Sequence, residues 1–165
     1  MKVSKLMAEH CLRQEHATDQ MPVTVLRFGI IYGPRRSNWS AVEALVDATA
    51  RQDVVEVGAR ATGRCFIHVD DIARALLSAL GRGGFEVFNI QGPALATLGE
   101  IIDVAARQLG RKPRVVEKDP AKPSIRLVSG DHAAAELGWR ATIDIDAGIR
   151  SLIAHLGLAE TRNRA

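Results

Sequence analysis

The segment Val23–Pro34 reads VTVLRFGIIYGP, and it decides the fold class. Most of its residues are apolar or β-branched, Pro22 precedes it, and Gly33-Pro34 ends it. Such a run predicts a strand that is buried on both faces, as in a parallel sheet covered by helices. Ligands of open α/β sheets bind beyond the carboxyl ends of the strands, so we expect function in the loop from Tyr32 to Trp39.

Helical and extended patterns alternate along the rest of the chain, which predicts an α/β fold. The predicted strands cover residues 23–31, 54–57, 65–69, 85–90 and 114–117. The predicted helices cover residues 2–16, a segment opened by Ser40, and residues 72–80, 98–109, 131–138 and 145–156. Ser40 with Glu43 and Thr97 with Glu100 have the spacing of capping boxes. Asp70 or Asp71 is expected to cap the helix at 72–80, and Asp131 is expected to cap the short helix at 131–138.

Composition restricts the class of protein. The chain has 165 residues, of which 47% are hydrophobic and 25% charged, which predicts one domain with a real core. It has neither an apolar run of membrane-spanning length nor a secretory signal, and Cys11 and Cys65 lack redox or metal spacing. We therefore expect a cytoplasmic protein that does not bind membranes. The net charge of +3 comes from scattered arginines, and with only 4% aromatic residues we expect no nucleic-acid binding.

Several short motifs follow one another in an order that is itself informative. They are SKLMAE at 4–9, RFGIIYGP at 27–34, GRCFIHVDDI at 63–72, FNIQG at 88–92, TLGEI at 97–101 and LGW at 137–139. Together they resemble the NAD-dependent epimerase/dehydratase family, the extended short-chain dehydrogenase/reductases that modify nucleotide sugars. The resemblance runs along nearly the whole chain but covers only the C-terminal half of such an enzyme.

The resemblance implies a partial Rossmann-like fold, with the last parallel strand or strands of the nucleotide-binding sheet followed by a C-terminal substrate-binding lobe. Residues 1–34 would be the remnant of the NAD(P)-binding domain, 35–157 the substrate lobe, and 158–165 a frayed tail. Ile30 and Cys65 replace a family asparagine and a family aspartate, respectively.

The resemblance also implies NAD or NADP as cofactor. Lys5 would hydrogen-bond the nicotinamide ribose and favour the phenolate of a catalytic tyrosine, but the tyrosine position is Met1. Without the resemblance, Lys5 would be a solvated surface lysine. The glycine-rich cofactor turn and the catalytic Ser/Thr are missing. Gly81–Gly84 does not replace that turn, because it follows a helix and precedes a strand.

For the substrate, the resemblance implies a nucleotide-diphosphate sugar. Arg64 would bind the diphosphate, and the alternative is a salt bridge to Asp70 or Asp71. Arg126 is a second arginine of the same kind. Asn89 could contact substrate or serve a turn, and Tyr32 is a further candidate contact.

Two other groups of residues invite an interpretation. Arg27 is expected to be structural, buried in its strand and paired. His68 with Asp70 and Asp71 could suggest a metal site, but no standard ligand spacing is present, so we favour a helix cap beside a strand histidine and no metal.

Two hypotheses about function follow. The chain is the C-terminal portion of an NAD(P)-dependent nucleotide-sugar epimerase or dehydratase, with little or no activity alone. Alternatively, it is a non-catalytic remnant that binds nucleotide sugars or self-associates. In the family the helix that carries Lys5 commonly forms the dimer interface, so we expect exposed apolar surface there and a homodimer or other self-association.

Overall fold

The computed structural model of the protein describes residues 2–35 and 37–158. The helices are α1 (Lys2–Asp19), α2 (Ala41–Arg51), α3 (Val69–Ala79), α4 (Leu98–Leu109), α5 (Asp131–Leu137) and α6 (Ile145–His155). The strands are β1 (Val23–Phe28), β2 (Ile30–Tyr32), β3 (Val54–Val57), β4 (Gly63–Arg64), β5 (Phe66–His68), β6 (Phe85–Ile90), β7 (Ala96–Thr97), β8 (Arg114–Glu117) and β9 (Ile125–Arg126). The order of elements confirms the α/β class. None of the described helices is long and apolar enough to cross a membrane.

Parallel pairing dominates the strands. β1 pairs with β6, β2 with β5, and β3 with β8, all in parallel, and each pair is joined through intervening helices. This arrangement is typical of α/β folds, in which parallel strands need long crossover connections. One small sheet is mixed, because the central strand β4 runs antiparallel to β7 and parallel to β9.

The predicted strand at 23–31 is in fact two strands with different partners. β1 runs beside β6 as far as Phe28, and after Gly29 the chain continues as β2 beside β5. A Cβ at Gly29 would lie 2.7 Å from Gln91 Oε1 and 2.8 Å from the Cys65 carbonyl oxygen. The chain therefore changes partner at a point of close approach that only glycine allows.

The expectation that this segment is buried on both faces is also wrong. Val23 and Tyr32 are buried, but the side chains of Phe28 and Ile30 are each 39% exposed. Among the described residues, β1 pairs with β6 alone, so its other edge and parts of both faces remain open.

The apolar residues form two cores. The first core lies among β3, α2, α4 and α6, and the second among β5, β6, α3 and α5. Leu158 packs in the first core, so a frayed tail that begins at this residue is wrong. Residues 159–165, the rest of that predicted tail, lie outside the described residues, as does Met1.

Local caps fix the helix starts. Both predicted capping boxes are confirmed, since the Ser40 and Thr97 side chains each accept a backbone hydrogen bond while Glu43 and Glu100 reach back to the cap backbone. The predicted cap of α5 is wrong. Its N-cap is Gly130, and the Asp131 amide donates to Ser129 Oγ at 3.1 Å.

The predicted cap of α3 is wrong as well. α3 begins at Val69, its N-cap is His68, and the Asp70 amide donates to His68 Nδ1 at 3.3 Å. Asp71 is instead fully buried and accepts hydrogen bonds from the Thr142 and Ile143 amides, the latter at 3.1 Å. It thus ties α3 to the segment before α6.

Candidate functional site

Two arginines face each other across neighbouring strands. β4 and β9 run parallel with Arg64 in register with Arg126. Residues opposite each other in paired strands project to the same face of a sheet, so the two side chains leave the β4–β9 ribbon on one side. Two arginine side chains that leave a sheet on the same face are well suited to an anion with several oxygen atoms, such as a diphosphate.

Hydrogen bonds to neighbouring backbone and side chain fix the orientation of Arg64. Its Nη1 donates to the carbonyl oxygens of Gly63, at 2.6 Å, and of Ser124, and its Nη2 donates to Ser124 Oγ at 3.1 Å. The alternative in which Arg64 pairs with Asp70 or Asp71 is wrong, because Asp71 pairs with Arg74 and Asp70 lies against His68. Arg126 is exposed and makes no hydrogen bond or ion pair with any residue of the described ranges.

The other two predicted substrate contacts, Asn89 and Tyr32, have different surroundings and different hydrogen-bond partners. Asn89 lies near the end of β6, and its Nδ2 donates to the Ser129 carbonyl oxygen at 3.3 Å. Tyr32 is only 1% exposed, and its hydroxyl donates to the Asp144 carbonyl oxygen at 3.3 Å. Burial raises the pKa of Tyr32. A substrate contact by Tyr32 stays a prediction, and its burial lends it no support.

Lys5 lies on a groove between α1 and β1. The groove has a volume of about 810 Å³, and its walls include Leu6, Leu12 and Phe28. Arg27 borders it and is paired as predicted, since its Nε donates to Glu9 Oε1 at 2.9 Å. That hydrogen bond lowers the pKa of Glu9. The prediction of a buried Arg27 is wrong, because the open strand edge leaves it exposed.

Lys5 is one of the residues that line this groove, and its contact with a cofactor ribose stays a prediction. Gly81–Gly84 lies between α3 and β6, so it opens no helix. Among the described residues, no glycine-rich turn leads from a strand into a helix N-terminus, which is what a pyrophosphate requires.

His68 is a buried structural histidine in this molecule. Its Nδ1 accepts from the Asp70 amide, its Nε2 lies 3.1 Å from Ser151 Oγ, and Ser151 Oγ donates to the Gly148 carbonyl oxygen at 2.8 Å. Burial lowers the pKa of His68. The Asp70 carboxylate is 3.5 Å from Nδ1, a contact that would need a charged ring. Because Nδ1 already accepts a hydrogen bond, we assign a neutral ring with the proton on Nε2.

Metal ligation finds no support at this position. Within residues 2–35 and 37–158, no group of three His, Cys, Asp or Glu side chains converges on a point that could hold a metal ion.

Sequence reasoning also missed Ser124, which anchors Arg64. The one clue in the sequence was that Ser124 lies two residues before Arg126. That clue becomes useful only once β4 and β9 are known to pair.

Parallel strands with crossover helices define a partial Rossmann-like fold. The pattern of the NAD dependent epimerase/dehydratase family matches residues 2–90, more than half of the sequence, and the chain belongs to this family. It is 24% identical over 137 residues to a UDP-glucuronate 4-epimerase of Thermodesulfobacterium geofontis, a match that covers 81% of this chain and 42% of that protein.

Solved structures agree with the fold. A UDP-glucose 4-epimerase from Thermotoga maritima with UDP-glucose superposes with a TM-score of 0.82 at 23% identity, covering 94% of this chain and 52% of the other. A UDP-glucose 4-epimerase from Brucella ovis in complex with NAD gives a TM-score of 0.83 at 25% identity, covering 93% and 55%. The chain thus spans about half the length of the proteins it resembles.

Proposed function

We propose that this chain provides the substrate-binding lobe of an NAD(P)-dependent nucleotide-sugar epimerase or dehydratase. The observation that carries the proposal is the register of β4 and β9, which sets Arg64 beside Arg126 on one face. In this proposal the two guanidinium groups bind the diphosphate of the substrate, and Asn89, near the end of β6, is a further candidate contact. The names of the relatives, which act on or bind UDP-sugars, agree with a ligand of this class.

We further propose that the chain alone is inactive. Residues 1–34 would contribute the Lys5 helix and one strand of the cofactor domain, and residues 35–157 the substrate lobe. Methionine has no ionisable proton, so Met1 cannot perform the proton transfer of a tyrosine. Lys5 would reach the ribose of NAD or NADP, while the pyrophosphate would have no cradle in this chain. The two free thiols, Cys11 and Cys65, suit a cytoplasmic setting.

Thermal-shift titration of the purified chain tests both parts of the proposal. UDP-, GDP- and dTDP-sugars are compared with NAD(H) and NADP(H), using wild type, Arg64→Ala, Arg126→Ala and the control Arg51→Ala. Arg51 is an exposed arginine of α2 that pairs with Asp47 and lies in neither β4 nor β9. We expect one class of nucleotide sugar to raise the melting temperature of wild type and Arg51→Ala, with the shift lost in the other two variants.

The contrary outcomes are distinct. Turnover of a nucleotide sugar by the pure chain, or micromolar binding of NAD(H), would overturn the proposed inactivity. A shift that survives both arginine substitutions would remove the arginine pair from the site.

A second candidate, a self-associating remnant without catalysis, is favoured by one observation. The side chains of Val3, Leu6 and Met7 on α1 are 69%, 61% and 61% exposed. Contiguous apolar surface of this kind drives association in water. Size-exclusion chromatography with light scattering should show a dimer or larger species that Leu6→Glu converts to monomer. No shift with any nucleotide sugar, together with such an oligomer, would favour this candidate over the first.

A further inference from the structure

The outer edge of β1 has backbone groups with no strand beside them. Among the described strands, β1 pairs with β6 alone. Val23 donates its amide to the Gly84 carbonyl oxygen at 2.8 Å, on the side of β6. Because successive residues of a strand turn their hydrogen-bonding groups to opposite sides, those of Thr24, Leu26 and Phe28 point away from β6. Such an edge is a template for pairing with a further strand.

Apolar grooves border this edge on both faces of the sheet. On one face lies the groove of about 810 Å³ between α1 and β1. On the other face a groove of about 760 Å³ lies between β1 and α3, and its walls include the exposed side chains of Leu76 and Leu80. Leu26 and Phe28 line both grooves. The unpaired edge therefore lies between two apolar surfaces, and apolar surface of this extent marks an interaction site.

The sequence of β1 lacks the usual protection of an edge strand. Natural edges are blocked by lysine, proline, a bulge or a charge that points inward. β1 contains neither lysine nor proline, and it pairs with β6 residue for residue without a bulge. Its single charged residue, Arg27, already forms an ion pair with Glu9 of the same chain. Nothing within β1 therefore opposes a further strand.

The outward-facing groups of β1 match those of an antiparallel second copy. Thr24 and Phe28 flank Leu26 at equal spacing, so a two-fold axis can pass through Leu26. In that register Leu26 exchanges hydrogen bonds with its own symmetry mate, and Thr24 does so with Phe28 of the other copy. Arg27 lies opposite Val25 of the other copy, so no like charges face each other. Each copy thus satisfies the edge of the other, as a two-fold interface requires.

We propose that a second copy of this chain occupies the β1 edge, which joins the β6–β1 pairs of two protomers into one four-stranded sheet. The α1 groove of each protomer would then be covered on one face and the α3 groove on the other. The proposal rests on the self-association suggested above and assigns it to the strand edge, not to α1 alone. Nucleotide-sugar binding does not depend on it, because neither Arg64 nor Arg126 lines these grooves.

Cysteine cross-linking of the full chain tests the register. The background variant is Cys11→Ser, because Cys11 is exposed whereas Cys65 is buried. Leu26 would pair with its own mate, where the two Cα atoms lie about 5.5 Å apart and within reach of a disulfide. In the matched control, Thr24→Cys, the two cysteines would be offset by four residues, about 13 Å along the strand. We expect Leu26→Cys to form a linked dimer at least tenfold faster than Thr24→Cys.

Size-exclusion chromatography with light scattering gives an independent measurement. We expect a dimer for the wild type and a monomer for Phe28→Lys, which places a charge in the pairing edge. Leu77→Lys is the matched control, since Leu77 is an exposed apolar residue of α3 that lines neither groove, and it should remain dimeric. A cooperative melting transition of Phe28→Lys shows that this variant still folds.

The contrary results separate this proposal from the self-association on which it rests. A dimer in which Leu26→Cys cross-links no faster than Thr24→Cys, or a dimer that Phe28→Lys leaves intact, would overturn the strand-edge pairing alone. A monomeric wild type would overturn both and would leave the β1 edge to a strand of a different polypeptide. The titration with nucleotide sugars keeps its meaning in each case.

Discussion

The first core and the α1–β1 end of the molecule differ in how completely their apolar side chains are covered. In the first core, Ile101, Ile149 and Leu152 are fully buried between helices that this chain itself supplies. At the α1–β1 end, Leu6 and Met7 remain exposed although the local sequence forms a helix without difficulty. Because packing supplies most of the stability of a protein helix, α1 is expected to be less stable than the helices of the first core.

The largest expected effect tests this contrast directly. Ile101→Ala should destabilise the protein by about 2–5 kcal/mol, because it opens a cavity in the first core. Leu6→Ala should change stability by less than about 0.5 kcal/mol, because its side chain is already in water. Chemical denaturation of both variants measures the difference. Equal losses would mean that α1 is packed in solution, and the contrast would fail.

A glycine-to-alanine substitution tests the same contrast by adding an atom to the buried interior instead of removing atoms from it. A Cβ at Gly148 would lie 2.0 Å from the Tyr32 hydroxyl oxygen, within the buried interior, so Gly148→Ala should cost about 1–3 kcal/mol. Gly58→Ala is the matched control, since nothing lies within 4 Å of its Cβ position. Thermal denaturation should show a lowered midpoint for the first variant only. An unchanged midpoint for Gly148→Ala would contradict the observed contact.

The capping boxes supply a smaller effect. Thr97→Ala removes the side-chain acceptor for the Glu100 amide at the start of α4, whose inner face fills the first core. The expected loss is about 1 kcal/mol, and Thr97→Ser should restore most of it because serine keeps the acceptor oxygen. Denaturant midpoints compare the two. A loss in Thr97→Ser equal to that in Thr97→Ala would assign the effect to the methyl group.

The smallest effect is a dependence on pH. The pKa of His68 in the folded protein is lower than its unfolded value, so His68 costs no stability above about pH 6.5. As the pH falls below that value, the unfolded chain gains a proton that the folded chain resists, and stability declines. His68→Asn, whose Oδ1 can take the place of Nδ1 as acceptor for the Asp70 amide, should reduce this decline. Identical declines in wild type and variant between pH 7.5 and 5.5 would refute the assignment.

The sequence predicted most of the elements whose signal is local. Three kinds of predicted feature depend only on neighbours a few residues away, and all are present in the structure. They are the two capping boxes, the strand at 54–57 and the helix that ends at Gly110. The order of motifs likewise predicted the family.

Features that depend on distant parts of the chain could not be predicted in the same way. The change of partner at Gly29 depends on how closely Gln91 and Cys65 approach it. The strands β4 and β9 have two residues each, too few for a detectable periodicity. The register of Arg64 with Arg126 and the hydrogen bond from Arg64 to Ser124 therefore become visible only in the structure. The cap at His68 was missed because aspartates are the commoner caps and two of them follow it.

The hydrogen bonds from Arg64 to Ser124 give the two arginines different degrees of order before any ligand binds. Arg64 is held by three hydrogen bonds, whereas the exposed Arg126 makes no hydrogen bond or ion pair with the described residues. Freezing an arginine side chain costs about 1.5–2 kcal/mol of conformational entropy, and here only one of the two incurs it. If the two arginines bind a diphosphate as proposed, Arg64 therefore enters the complex already ordered, whereas Arg126 becomes ordered only on binding.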